Sequence, residues 1–300
     1  MGKESSTSHT ERTAAQPRDS TLHSVTLVRV NAVNEEIRLF RLGVKEGSRI
    51  EFLPGQWLDT YVPGVPKAGG FTLTSPPSKA VLPRSAYLEL AVQKSPTNPA
   101  AAWLWEQPVD DENEDPSQVE KKPEIQVRVG GSFVWPPPGI ADLASLRRIV
   151  FIAGGVGVNP LMSIVSHLAE GEVPSSVSPP EESGEDSLID SEKILFMERL
   201  AAIFGREKVR GQMRLFLTGL GPGIASGEPV LHCNEMDVPF KRRRMGLGDV
   251  SEALGPEAER GDALVYVCGI PSMTDELVES LTSKSGLNLR PERVLCEKWW

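Results

Sequence analysis

Between residues 24 and 129 the chain runs in short apolar or alternating stretches parted by turn residues. Residues 24–31, 36–42, 56–62, 70–74, 87–93 and 125–129 each predict a strand, because alternation or a short apolar run bounded by turns is the β pattern. Residues 99–106, with Trp103 and Trp105, predict a helix. Six short strands with one helix predict a small closed antiparallel barrel. The turn Pro136-Pro137-Pro138-Gly139 ends that pattern, and strands and helices alternate beyond it. A strand ending at Ala153 leads to a helix over 160–169, and a helix over 191–204 leads to a strand over 213–217. A short helix over 249–254 precedes a strand over 263–267, followed by a helix over 271–282 and a strand over 293–296. That alternation predicts a parallel α/β sheet.

Two stretches interrupt the pattern. Residues 107–124 are acidic and proline-bearing, and residues 171–192 are rich in Ser, Pro and Glu. Neither has the apolar content to pack, so both are expected to be mobile insertions. The first 22 residues are polar and predict a disordered tail. Met1-Gly2 with Ser6 meets a bare myristoylation pattern, but the pattern is short and the disordered tail is the favoured reading. The tail lacks the apolar stretch of a secretory signal, and Glu4, Glu11 and Asp19 fit poorly with a transit peptide. No apolar run approaches the ~20 residues of a membrane span.

Composition narrows the classes. At 300 residues the chain is long enough for two domains with cores, and 39% apolar with 24% charged residues is the balance of a soluble globular protein. A net charge of −9 argues against nucleic-acid binding as the main task. Cys233, Cys268 and Cys296 are too few and too scattered for a disulfide framework, a zinc site or a four-cysteine iron–sulfur cluster. The histidines at 9, 23, 167 and 232 show no ligand spacing, so no metal is expected. The setting read from these features is reducing and intracellular: cytoplasmic, with mitochondria as the alternative.

The candidate chemistry centres on Arg148-Ile149-Val150-Phe151-Ile152-Ala153-Gly154-Gly155-Val156-Gly157-Val158-Asn159-Pro160-Leu161. An apolar run ends in a glycine turn, and a helix start follows, with Asn159 as a cap and Pro160 in the first turn. Glycines let the backbone approach a ligand, and the helix start offers free N–H groups to a phosphate. This predicts a dinucleotide pyrophosphate cradle, set against a plain strand-to-helix connection. A second strand breaks at Cys268-Gly269-Ile270-Pro271, at another strand end where ligands bind in α/β sheets. Cys268 there is either a sulfur beside a flat ring or a buried structural thiol. The chain ends Glu297-Lys298-Trp299-Trp300, aromatic surface that either closes a core or lies on a planar cofactor. Lys241-Arg242-Arg243-Arg244 reads as a solvated loop, with a 2′-phosphate or an acidic partner as the alternative.

The order Gly55-Gln56-Trp57, Gly69-Gly70-Phe71-Thr72, Gly130-Gly131-Ser132-Phe133, the 153–160 glycine motif, Cys268-Gly269 and the terminal Glu-Lys-Trp-Trp resembles the ferredoxin–NADP reductase-like superfamily. Within it the likeness is to the oxidoreductase NAD-binding domain-containing branch, over roughly residues 25–300 apart from the two insertions. The resemblance implies a two-domain β + α/β fold: an antiparallel flavin-binding barrel of the FR type over 23–139 and a parallel NAD(P)-binding α/β domain over 140–300, carrying the insertion at 171–192. It implies FAD and NAD(P)H as cofactors. Gly69 to Thr72 match the flavin motif, with Thr72 as the hydroxyl near flavin N5, Phe71 as the aromatic contact and Gly69 where an arginine usually meets the pyrophosphate. Gly130, Gly131 and Ser132 match the turn facing the flavin phosphates. Gly154, Gly155, Gly157, Asn159 and Pro160 match the NAD(P)H pyrophosphate turn. Cys268 and Gly269 match the nicotinamide motif, and Glu297, Trp299 and Trp300 match positions near the flavin ring.

One departure stands out. The resembled family has a second parallel strand after the first helix, and no strand-like apolar run lies between Glu170 and Ile194 here. The α/β sheet is therefore expected to lack one strand. The reading is a flavin-dependent NAD(P)H reductase in which Cys268 places nicotinamide, Thr72 bonds the flavin N5 region, Glu297 assists proton supply and Trp300 or Trp299 shields the ring. Electrons then pass to a separate acceptor, a protein or a small molecule. The alternatives are a non-catalytic nucleotide-binding or partner-docking protein of the same fold, and a defective isoform.

Overall fold

The computed structural model describes residues 8–110, 122–171, 193–218, 229–233 and 236–299. The first domain is a six-stranded antiparallel sheet: β1 (His23–Ala32), β2 (Ile37–Val44), β3 (Trp57–Tyr61), β4 (Gly69–Thr72), β5 (Tyr87–Gln93) and β6 (Glu124–Gly130). The order is β4-β3-β6-β1-β2-β5, and a bridge from Leu73 to Leu90 returns the end of β4 to β5, closing the barrel. Alternation explains the closure. Leu42, Leu58, Leu88, Leu90, Ile125 and Val127 point inward and are fully buried with Phe40. Burying a Leu or Phe side chain is worth about 1.5–3 kcal/mol, so this inner face is the main stabilising surface of the domain. Helix α2 (Pro99–Glu106) plugs one end, started by Asn98, whose side chain accepts from the Ala100 and Ala101 N–H groups, and by Pro99 in the first turn.

Residues 8–22 do not form a disordered tail. A short helix α1 (His9–Arg12) and the following segment lie on the barrel, and the Asp19 N–H donates to the Val129 carbonyl at 2.8 Å. Polarity misled the sequence reading here: the segment is held by polar contacts, described below. Residues 1–7 fall outside the described residues, as do most of the two interrupting stretches. The first stretch is tied down at both ends, where Asp110 N–H donates to Val30 O at 2.9 Å and β6 begins at Glu124.

The second domain holds a parallel sheet in the order β12-β11-β7, from β7 (Arg148–Ala153), β11 (Ala263–Gly269) and β12 (Val294–Lys298). All seven residues of β11 are buried, as expected of a central parallel strand. Among the described residues β7 has no second neighbour, and Ile149, Val150 and Phe151 are only half-buried. That edge of the sheet is thus unpaired among the described residues, and residues 172–192, where the strand is expected to be lacking, lie outside them. The strand expected over 213–217 contracts to β8 (Leu215–Phe216) and leaves the parallel sheet altogether. It pairs instead with β10 (Met236–Lys241), which pairs with β9 (Val230–Cys233). Neither β9 nor β10 is legible as a strand in advance, because Pro239 interrupts the second run.

Helix α3 (Val158–Glu170) follows the glycine turn, and α4 (Met197–Gly205) begins only after Phe196, whose φ of 61° breaks the helix expected from 191. Helix α5 (Leu247–Leu254) and helix α6 (Pro271–Thr282) lie where expected. The basic run at 241–244 is structural. Lys241 and Arg243 both bond Asp249, which accepts from the Gly246 N–H at the start of α5. The Arg243 bonds hold the Asp249 carboxyl far below the usual range against the opposing push of desolvation.

The two domains share one seam. The Asn159 amide donates to Ala91 O at 2.9 Å, the Ser163 hydroxyl to Ser75 O at 2.8 Å, and the Tyr266 hydroxyl to Val134 O at 2.9 Å. Glu89 of β5 is 2% exposed and accepts from Thr74 and from Arg199 of α4, with Arg41 at 3.6 Å. Such a carboxylate is stable only while its partners remain. Arg199→Met removes the interdomain cation from Glu89. The expected loss is about 1–3 kcal/mol, read by urea unfolding. A loss within about 0.5 kcal/mol, typical of surface changes, contradicts this account of the seam.

Candidate functional site

The register of β3 with its two neighbours builds the first half of the site. Trp57 pairs with Thr72 on one side and Gly130 on the other, and Asp59 pairs with Gly70 and Arg128. In a sheet, directly paired residues share a face. One face of the barrel therefore carries Thr72, Trp57 and Gly130 in one row and Gly70, Asp59 and Arg128 in the next. Two of these six positions are glycine, and a ring lies against each. A Cβ on Gly130 would sit 2.5 Å from the Trp57 ring, and one on Gly131 2.6 Å from the indole nitrogen. A Cβ on Gly70 would sit 2.0 Å from the His9 ring.

The alternation corrects one expectation. Gly70 and Thr72 share the outer face, so Phe71 turns inward, where it is 8% exposed and packs in the barrel core. It makes no aromatic wall for this face. Gly69 has no room for a side chain: its Cβ would lie 2.7 Å from both Ala100 Cβ and the Phe71 ring. Thr72 is buried beside Trp57.

Residues 8–19 cover the face. The His9 ring meets Trp57 edge-on at 4.7 Å between centroids, and its Nε2 lies 3.2 Å from Asp59 Oδ1. Arg18 donates to Asp59 Oδ2 at 3.0 Å and stands 4.9 Å over the Trp57 ring. Arg128 donates to the same oxygen at 2.7 Å. Desolvation pushes the Asp59 carboxyl up, but the close approach of His9 and the bonds from Arg128 and Arg18 outweigh it and hold the group at about 2. The expected phosphate turn is engaged as well: Gly131, at φ 103°, donates its N–H to Pro17 O at 3.0 Å, and the Ser132 hydroxyl donates to Gln16 at 2.6 Å.

The second half comes from the α/β strand ends. Cys268 is buried at the end of β11, and desolvation pushes its thiol well up, so it stays a neutral thiol. Glu297 sits across from it on β12. The Trp299 N–H donates to Gly269 O at 3.0 Å, and its indole donates to Glu297 Oε2 at 3.2 Å. Burial pushes the Glu297 carboxyl up to about 8, against the opposing pull of that indole bond. Trp299 lies 9° from parallel with His9 at 6.4 Å, which joins the two halves. Trp300 falls outside the described residues.

The glycine motif divides by role. Gly157 touches β11: its Cβ would be 2.2 Å from the Cys268 carbonyl oxygen. Gly154 lies under Met273, as does Gly269, with the Met273 side chain 2.7 Å and 2.3 Å from the respective Cβ positions. Gly155, at φ 54°, opens on space. Helix α3 starts at Val158 with Gly157 before it, so Asn159 is not its cap. Its buried amide is spent on the domain seam instead, and Pro160 is buried in the first turn. Sequence reasoning missed His9, Arg18, Asp59 and Met273. The signal that existed was Asp59 within an otherwise apolar strand, a charge that burial obliges to find partners.

No family model matches the chain. It is 30% identical to the Xenopus laevis oxidoreductase NAD-binding domain-containing protein 1 over 303 residues, covering 100% of this chain and 86% of that protein. The chain belongs to the oxidoreductase NAD-binding domain-containing protein family. Its fold is that of ferredoxin reductase-like FAD/NAD-binding proteins. The flavohem-like FAD/NAD-binding domain of Vibrio cholerae nitric oxide dioxygenase aligns at a TM-score of 0.57 and 14% identity, over 92% of this chain and 98% of that one. A cytochrome P450 reductase from Amycolatopsis aligns at 0.59 and 20% identity, over 92% of this chain and 70% of that one.

Two outcomes test this geometry. Gly157→Ala places a Cβ against a backbone carbonyl that cannot rotate away, and about 2 kcal/mol or more of stability should be lost. Gly155→Ala meets no atom and should cost only the roughly 1–2 kcal/mol of a left-handed residue. Equal losses in denaturant titrations would refute the close approach to Cys268. For Glu297 the sign follows from a folded value of about 8 against an ordinary value of 4.5. The folded state keeps a proton that the unfolded chain releases, so Glu297 makes stability fall as pH rises from 4.5 to 8, then level off. Glu297→Gln should remove that decline, seen as Tm values for the variant that drop less than wild type between pH 5 and pH 8.

Proposed function

We propose that the chain is an NAD(P)H oxidoreductase that works with FAD at the seam between barrel and α/β domain. The observation that carries this reading is one flat ring, that of His9, which lies against Gly70 and Trp57 of the barrel and nearly parallel to Trp299, the residue that bonds Glu297 beside Cys268. The slot accepts a planar heteroaromatic ring, since it holds the His9 imidazole. The adjoining turn has backbone and hydroxyl donors, Gly131 N–H and Ser132 Oγ–H, of the kind that hold phosphates. The residues therefore fit a flavin, on condition that residues 8–19 move off.

A bound flavin would supply the hydride acceptor for reduced nicotinamide, chemistry that belongs to the cofactor. The protein's part is placement and proton management. Gly155 and the N–H groups opening α3 would receive the dinucleotide pyrophosphate. Cys268 offers a neutral, polarizable sulfur beneath the nicotinamide position, because its raised pKa excludes a thiolate near neutral pH. Glu297, holding its proton up to about pH 8, would be the group that gives it to a reduced ring. Trp299 both bonds that carboxyl and covers the ring site. Electrons would leave for an acceptor outside this chain. The filled slot favours a second reading, a non-catalytic protein of the same fold.

An absorption spectrum of the protein with FAD, before and after anaerobic NADH or NADPH, separates them. The expected result is a protein-bound visible flavin band that bleaches with one nucleotide faster than with the other. A protein that stays colourless after FAD is added and desalted points to the non-catalytic reading.

A further inference from the structure

We propose that residues 8–19 are a built-in strap that competes with flavin for its own site and must lift for flavin to bind. This rests on the flavin reading above. The strap imitates the ligand at two points. At the ring slot, His9 is a flat heteroaromatic ring over Gly70, nearly parallel to Trp299. At the phosphate turn, Pro17 O takes the Gly131 N–H and Gln16 takes the Ser132 hydroxyl, using the groups a diphosphate would need. One ring and two acceptors in a single segment, meeting one ring slot and one donor turn, make simultaneous occupancy by flavin impossible.

The strap is built to be released. Its helix is one turn, His9–Arg12, closed by the Ser8–Glu11 capping box, and a helix that short has no stability of its own. The remaining grip on the barrel is the Arg18 bond to Asp59 and its place over the Trp57 ring, the Asp19 N–H bond to Val129 O and a single bridge from Arg18 to Gly130. Release does not strand Asp59, because Arg128 still bonds it through Nε and Nη2 at 3.0 and 2.7 Å. Segments held by few apolar contacts open at low cost, and a site that is open only part of the time binds its ligand more weakly in proportion.

The test uses the full-length chain and two readouts. FAD binding is followed by flavin fluorescence, and hydrogen exchange is followed in peptides covering residues 8–19 and 129–132. The double variant His9→Ala/Arg18→Ala should bind FAD at least tenfold more tightly than wild type. In the wild type, residues 8–19 should be protected without FAD and lose that protection when FAD is added, while 129–132 stays protected. FAD that binds the wild type with residues 8–19 still protected overturns the strap and leaves the flavin reading intact. So does exchange of 8–19 that is already free without FAD. Equal or weaker FAD binding by a variant whose far-ultraviolet spectrum matches wild type likewise overturns the strap. Failure of both proteins to bind FAD overturns the strap and the flavin reading together.

Discussion

The contact on which the site depends is the approach of Gly157 to the Cys268 carbonyl. A parallel sheet offers a crevice at its strand ends only if the loop leaving one strand packs hard against the next. Gly154 N–H donates to Cys268 O at 3.0 Å, and Gly157 presses on the same carbonyl with no Cβ between. That fixes the start of α3 beside the end of β11. Once α3 is fixed, Asn159 and Ser163 reach the barrel at Ala91 and Ser75, and the barrel face carrying Gly70 is brought up to Trp299. The order of dependence therefore runs from one backbone contact to the helix, to the domain seam, and to the ring slot.

Glycine is used twice on the barrel for a different purpose. Gly70 and Gly130 flank Asp59 and Trp57 on neighbouring strands, and each gives up its side chain so that a ring can lie on the sheet. The cost is lost β propensity and backbone entropy at both positions. The return is a flat surface on which the Trp57 and His9 rings lie. Asp59 makes that surface electrostatically definite. Two of its three cationic or polar partners, His9 and Arg18, come from the N-terminal segment and one, Arg128, from the barrel, so one ionic partner of Asp59 does not depend on that segment.

Much of this was legible in the chain. All six barrel strands and helices α2 and α6 follow from alternation, turn residues and Pro or Asn starts, and α3 from the glycine turn that precedes it. The Cys268, Glu297 and Trp299 grouping was legible only through family likeness, since three residues spread over two strands share no local pattern. What was hidden has physical reasons. The 8–19 segment is polar because its partners are a carboxylate, a backbone N–H and a hydroxyl, so it looks like a tail. Asn159 resembles a cap because the same amide that could close a helix serves equally to bond a distant carbonyl. Phe71 matched a motif by position, while the period-2 alternation set by Gly70 and Thr72 turned it inward.

The unpaired edge of β7 among the described residues and the proposed strap bear on opposite halves of the same problem. An adenosine in an α/β crevice leans on the strand next to the one that precedes the glycine turn, and β7 has no such neighbour among the described residues. Under the proposed reading, the described residues would offer a dinucleotide the turn at Gly155 and the strand end at Cys268. Binding free energy would then be concentrated at the reacting end, with less of it drawn from the remote adenosine. Such a site gains little by holding nicotinamide tightly in the ground state and depends more on the precision of ring placement. That makes the rigid seam through Gly157, Tyr266 and Glu89, not the nucleotide pocket, the feature of this chain on which turnover would chiefly rest.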